Sequence, residues 1–265
     1  MTKKIPLRVS LAIASDRLFR RAVNGLTAVH RGIWLGLLGS EHTDTASTAA
    51  YSRWEKYQSD DYNLSGLFDW EREVVEKHFP LDSIVLVPSA GGGREILGLE
   101  DLGYDAVGFD PAANLVETGR RLIAERAGNS TLTLSPPGRL PDGVDDSFGA
   151  ILMGWGGYSH IQGRDSRTAF LSELRATLDD GAPMLISFFL RSPTDRRFQL
   201  TASLATLIRR LRRAPEPVEL GDAVDATFDH YFTWDEIEAE LADARFTVVS
   251  SSATPYPHIV CVAAQ

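Results

Sequence analysis

The stretch SIVLVPSAGGGREILGLEDLGYDAVGFDPAANLVETGR, residues 83–120, limits the possible folds more than any other part of the chain. An apolar run, Ile84 to Val87, has the length of a buried parallel strand and breaks into Ser89-Ala90-Gly91-Gly92-Gly93 before a helical pattern resumes. A second apolar run, Ala106 to Phe109, ends on Asp110, seventeen residues after Gly93, and Pro111 closes it. The spacing predicts a β-α-β unit. Glycines allow a sharp turn and the close approach of a ligand, and the start of the following helix offers unpaired N–H groups. A carboxylate ending the second strand lies beside that turn, where it can accept hydrogen bonds from both hydroxyls of a ribose. Asp110 is that carboxylate, so a nucleoside ligand is expected; the plainer alternative is a flexible glycine loop beside an acidic turn residue.

The rest of the chain narrows the partners. A net charge of −9 repels phosphate backbones and anionic membrane surfaces, so neither nucleic acid nor membrane is expected. Cys261 is the only cysteine, which rules out an internal disulfide or a cysteine-rich metal site. The first residues, MTKKIPLRVSLAIASDRLFRR, lack a sustained apolar core and a cleavage site, and the expectation is a cytoplasmic protein. At 265 residues the chain suits one large α/β domain with an appended segment, as monomer or homodimer.

Strand and helix patterns alternate from residue 83 onward, which argues for a doubly wound sheet with its ligand at the carboxyl ends of the strands. Helices are expected over Ala112 to Ala127, Ser166 to Leu178 and Trp234 to Ala244. Strands are expected at Thr131 to Leu134, Ser147 to Met153, Met184 to Leu190, Phe246 to Val249 and Ile259 to Ala263, with Pro215 to Asp229 as loop. Residues 1–80 read as a helical N-terminal layer. Within it Tyr51, Trp54, Tyr57 and Tyr62 recur at near-helical spacing, either as core packing or as a lid whose aromatic rings close over a ligand.

This order of motifs resembles the class I S-adenosylmethionine (SAM)-dependent methyltransferases over roughly residues 51–265. The family's glycine-rich motif matches Val85 to Gly93, and its ribose-binding acid matches Asp110. Leu140-Pro141 with Asp146-Ser147-Phe148 resembles the approach to the family's fourth strand, and His160-Ile161 its His-Leu pair after that strand. Leu174 through Leu185 and Phe232 through Phe246 resemble the elements that follow. The resemblance implies an α/β fold, a doubly wound seven-stranded mixed sheet of Rossmann-like methyltransferase type with a helical N-terminal lid over residues 1–80. It also implies a SAM-binding domain over 81–265 with a cap inserted at about 191–230. The implied cofactor is SAM, with S-adenosylhomocysteine as product, and the cofactor residues carried over are Ser89, Ala90, Gly91, Gly93, Glu95, Asp110, Pro111, Gly154 and Trp155. No metal is implied.

Three positions depart from the family pattern. Val87 stands where an acid is common, Ser89 where the first glycine is usual, and Pro136, beside Pro137, where a side chain commonly binds the adenine amino group. Glu95 can replace the missing acid, or serve only as a first-turn glutamate favoured by the helix dipole. Two alternatives follow: an NAD-dependent oxidoreductase, against which Gly91-Gly92-Gly93-Arg94-Glu95-Ile96 lacks the G-x-G-x-x-G pattern, and a catalytically inactive methyltransferase-like binding or scaffold protein.

Methyl transfer from a sulfonium to a hydroxyl or amine of a small-molecule acceptor benefits from a positioned base. The loop after the fourth strand holds Tyr158 and His160, and the region before the last helix holds Asp222 and His230; His160, His230 and Tyr158 are the candidate catalytic residues. The arginines at 191, 196, 197, 209, 210, 212 and 213 are either a solvated helix face or an attraction for an anionic acceptor.

Overall fold

The computed structural model describes residues 6–126, 128–144 and 147–264. Asp146 and Ala127, named above at the approach to the fourth strand and at a helix end, lie outside the described residues. The chain begins with a long helix α1 (Leu7–Leu37), then α2 (Ser40–Tyr51) and two single turns, α3 (Glu55–Gln58) and α4 (Asp60–Asn63). Helix α5 (Asp69–His78) leads into strand β1 (Ile84–Pro88), helix α6 (Arg94–Glu100), strand β2 (Asp105–Asp110), helix α7 (Ala113–Arg126) and strand β3 (Thr131–Leu134). Strand β4 (Ala150–Met153) is followed by a 3-10 turn (Gly157–His160), helix α8 (Arg164–Ala176) and strand β5 (Pro183–Ser187). A short strand β6 (Phe189–Leu190), helix α9 (Arg196–Arg212), and strands β7 (Asp222–Val224) and β8 (Phe228–Phe232) come next. Helix α10 (Trp234–Asp243) and strands β9 (Phe246–Ser252) and β10 (His258–Ala263) close the fold.

The main sheet has seven strands in the order β3-β2-β1-β4-β5-β10-β9. The first five are parallel, and β10 runs antiparallel to both β5 and β9. The apolar runs read from the sequence are strands covered on both faces, as a parallel sheet demands. Alternate residues serve opposite faces. Val85, Val87, Ala150, Leu152 and Leu185 join one cluster with Trp70, Val75 and Ile96, while Leu86, Ile151, Met153, Met184 and Ile186 join the other with Phe170, Leu174 and Leu241. Full burial of each such aliphatic side chain is worth about 1.5–3 kcal/mol.

The helices of residues 1–80 take three different places. Helix α5 buries Trp70, Val75 and nearby Phe79 in the sheet's own core, so it is part of the covering layer. Segments α2 to α4 border the cleft described below. The C-terminal part of α1 packs against α9, where Gly32 and Gly36 permit close contact: a Cβ would stand 2.8 Å from Thr201 O and 2.7 Å from Ile208 Cβ, respectively.

The region expected as loop, 215–229, contains β7 and runs into β8, which form a second sheet in the order β6-β8-β7. Alternation could not reveal these strands, because Asp222, Asp229 and His230 are buried polar residues held by partners. The expected strand Met184 to Leu190 is divided between the two sheets, with Phe188 at the switch. No described helix is long and apolar enough to cross a membrane.

Candidate functional site

A cleft of about 1020 Å³, its open mouth included, lies at the carboxyl ends of β1, β2 and β4. One wall is the turn after β1. Ser89, Gly91 and Gly93 all have positive φ, at 55°, 53° and 88°, which favours glycine and makes Ser89 a strained exception. Gly92 must be glycine for another reason, since a Cβ there would stand 2.6 Å from the Asn63 side chain.

Asp110 ties this turn to β2. Gly91 N–H donates to Asp110 Oδ2 and Ala112 N–H to Oδ1, each at 2.8 Å. Burial raises the Asp110 carboxyl to about 6, against these two amides and the more distant His160, which lower it. Beside it, Phe109, Leu115, Pro136, Pro137, Ile161 and Phe170 form an apolar slot.

The next corner contains a buried charge cluster. The Arg94 guanidinium bonds both oxygens of Glu71, at 2.7 and 2.8 Å, the carbonyl of Gly66 at 2.8 Å, and Glu95. Its central carbon lies 3.9 Å from the Phe68 ring centroid. Burial pushes Glu95 up while Arg94 pulls it down, and the balance is upward. Asn63 borders the same cleft. Its amide N–H groups donate to Tyr57 O and Ser59 O, both at 3.0 Å, and its Oδ1 is buried with no partner among the described residues.

The far end holds His160. Its Nδ1 lies 3.0 Å from Asp229 Oδ1 and 3.1 Å from Phe228 O. Both are acceptors, so Nδ1 carries the proton and Nε2, 2.7 Å from the Tyr51 hydroxyl, is free to accept it. Burial lowers the imidazole pKa, but the Asp229 carboxylate outweighs it and the net shift is upward. The Tyr51 hydroxyl is held protonated, burial pushing its pKa well above the ordinary value. Trp155, at a positive φ of 49°, donates from Nε1 to the Tyr57 hydroxyl at 3.0 Å and stacks on Tyr256.

Ser89, Ala90, Gly91, Glu95, Asp110, Pro111, Gly154, Trp155 and His160 thus line one cleft. Gly93 does not; it is the N-cap of α6, where a Cβ would stand 3.5 Å from Gly119 Cα. Two catalytic candidates do not line the cleft either. Tyr158 is fully buried and donates to Glu240 at 2.6 Å, because the 3-10 turn points it down into the α8–α10 layer. His230 is buried against Asp222, Nδ1 to Oδ1 at 2.8 Å, in the second sheet. Glu219 approaches this pair, but it is bound to Arg167 at 2.7 Å.

Three arginines of the expected cap hold other elements in place. Arg209 and Arg212 donate to the carbonyls of Leu35, Gly36, Leu37 and Leu38 that end α1, and Arg191 holds Tyr231 O, Leu220 O and Glu236. Sequence reasoning missed Asn63, Glu71, Arg94 and Asp229 as site residues. Only the aromatic spacing from Tyr51 to Tyr62 hinted that this segment reaches the cleft.

No protein-family model matches the chain, and no curated protein matches it by sequence. Solved structures match by shape. The CcbJ methyltransferase from Streptomyces caelestis is 15% identical over 86% of this chain and 100% of its own, with a TM-score of 0.58. A SAM-dependent methyltransferase from Methanosarcina mazei is 18% identical over 75% of this chain and 99% of its own, with a TM-score of 0.56. The 1,6-didemethyltoxoflavin-N1-methyltransferase from Burkholderia thailandensis, solved with 1,6-didemethyltoxoflavin and S-adenosylhomocysteine, is 21% identical over 69% of this chain and 72% of its own, with a TM-score of 0.51. Sheet order, the antiparallel β10 and these likenesses agree: the chain has the fold of the SAM-dependent methyltransferases.

Proposed function

We propose that this protein is a SAM-dependent methyltransferase that methylates a hydroxyl or amine of a small molecule. The carrying observation is a single cleft with a nucleoside-binding acid, Asp110, at one end and an oriented histidine, His160, at the other. The residues fit the cofactor. Asp110 keeps lone pairs for a ribose beyond its two backbone bonds, and the proline-lined slot suits an aromatic base that is stacked rather than read at its edge. The unpartnered Asn63 Oδ1, with Glu95 nearby, suits an ammonium group, so Asn63 shares the role first given to Glu95 alone. When bound, SAM supplies an electrophilic methyl group on a sulfonium.

The chain's own contribution is placement, exclusion of water and proton handling. Tyr57, Tyr62 and Trp155 wall the cleft with rings. An acceptor O–H or N–H donating to the Tyr51 oxygen completes a relay, in which Tyr51 passes its own proton to His160 Nε2 as it takes the acceptor's. Asp229 holds the imidazole orientation and stabilises the imidazolium that forms. The Burkholderia neighbour acts on a small molecule, and an amino pentose methyltransferase from Micromonospora echinaspora shares the fold, which supports an acceptor of that size. The acidic net charge supports it as well.

Calorimetric titration with S-adenosylhomocysteine and with NAD, on the wild type and Asp110→Ala, tests the assignment. Micromolar binding of S-adenosylhomocysteine alone, weakened about 100-fold or more in the variant through lost charge-assisted hydrogen bonds, is expected. No heat and no thermal stabilisation at millimolar ligand overturns it in favour of a scaffold, and binding of NAD overturns it in favour of an oxidoreductase.

A further inference from the structure

The N-terminal half of helix α1 is exposed, while its C-terminal part is docked. The described hydrogen bonds and ion pairs that join it to other elements come from residues 28–37: Ala28, Gly32, Leu35 and Gly36 are buried, Thr201 donates to Ala28 O, and Arg31 pairs with Asp225. Every residue from 7 to 24 is exposed, and the described side-chain hydrogen bonds of this arm are local to it. At 1.5 Å per residue the free arm extends about 27 Å.

The arm is not dressed for water. Leu7, Leu11, Leu18, Phe19 and Leu26 are each 60–74% exposed. Leu7, Leu11, Leu18, Ala22, Leu26, Val29 and Ile33 recur three, four or seven residues apart, giving one apolar stripe that runs on beside the anchored half. Arg17 and Arg20 lie away from this stripe, and Arg21 borders it. An isolated helix of this length, with valine and isoleucine in it, is marginal in water, so its stripe requires a partner.

We propose that the partner is a second copy of this chain, with the two α1 helices paired antiparallel, stripe to stripe, about a two-fold axis. Charge selects this occupant. Residues 1–37 carry a net charge of +6, which leaves −15 on residues 38–265. Antiparallel pairing lays each basic arm along the anchored half of the partner's helix and toward the partner's acidic body; parallel pairing would leave both tips unsupported and bring like charges together. The anchored half of α1 packs on α9 and β7, and β7 pairs with β8, the strand that carries Asp229. The pairing therefore braces the wall behind His160.

Sedimentation velocity on the wild type and on the double variant Leu11→Glu with Leu18→Glu tests this, since neither side chain touches its own body. The expected result is a wild type at twice the 29.1 kDa chain mass at micromolar concentration, and a variant at the single-chain mass that loses no more helical circular dichroism than the unpartnered arm contributes. A monomeric wild type at 100 µM overturns the proposal, as does a variant that stays dimeric. Co-sedimentation of a monomeric wild type with vesicles of anionic lipid would assign the stripe to a membrane surface instead and equally overturn it.

Discussion

The two ends of the cleft are built by different means. The Asp110 end comes from one β-α-β unit: the turn after β1, the end of β2 and the start of α7 lie within about 25 residues, and backbone N–H groups do most of the work. The His160 end joins three distant segments, with Tyr51 separated from His160 by 109 residues and Phe228 by 68. The first end depends on local geometry and on two residue types, glycine and an acid. The second depends on α2, the 3-10 turn and β8 being docked in register. A local unit can therefore stay constant while the docked segments change, which lets one fold carry many different sites.

Substitutions at the two ends should separate binding from chemistry. His160→Ala is expected to lower kcat by about 10²–10⁴ while leaving S-adenosylhomocysteine affinity within a few-fold of wild type. Equal losses in both quantities, measured by single-turnover kinetics and calorimetry, would break the distinction drawn between the ends.

Asp110→Asn probes what the buried carboxyl costs the fold. The carboxyl is raised from 3.8 to about 6, so its ionised form is disfavoured in the folded state. Its contribution to stability is fully present below the unfolded value and is lost as pH rises through about 6. Relative to wild type, the asparagine variant should thus gain stability between pH 4 and 7. The gain is about 3 kcal/mol from the shift, less about 1 kcal/mol for one of the two backbone hydrogen bonds, which the amide nitrogen cannot accept. Urea unfolding at both pH values reads it, and a variant that gains nothing would mean Asp110 is not strained by burial.

Asp229→Asn should have the smallest effect. The carboxylate is what raises the His160 pKa against burial, so its removal lets burial pull the pKa down. The base is then neutral at lower pH, and the acid limb of the kcat profile moves to lower pH with a modest fall in the plateau. An unmoved limb would remove Asp229 from the relay.

The legibility of the site follows the same division. Asp110 and the glycine turn were readable because strand, turn and helix signals are local. His160 was readable as a histidine after the fourth strand, but its neighbour Tyr158 was indistinguishable from it in sequence and turns inward to Glu240. His230 resembled a loop histidine because β8 carries Asp229 and His230, polar residues that only their partners make suitable for a buried strand. Asn63 gave no signal at all; its significance lies in an amide oxygen left without a partner beside Gly92.

The sequence alone determined the strands of the main sheet and the helices between them, the apolar faces of that sheet and the place of the acid that ends β2. Hydrophobic periodicity and turn chemistry act over a few residues, and those properties need no more. Tertiary structure alone decided that the N-terminal helices divide among core, cleft and arm, and that Glu71, Arg94 and Glu95 share one buried corner. It also decided which histidine meets the cleft. Burial, pairing of charges and the direction of a side chain depend on segments brought together across the whole chain, and no local pattern encodes them.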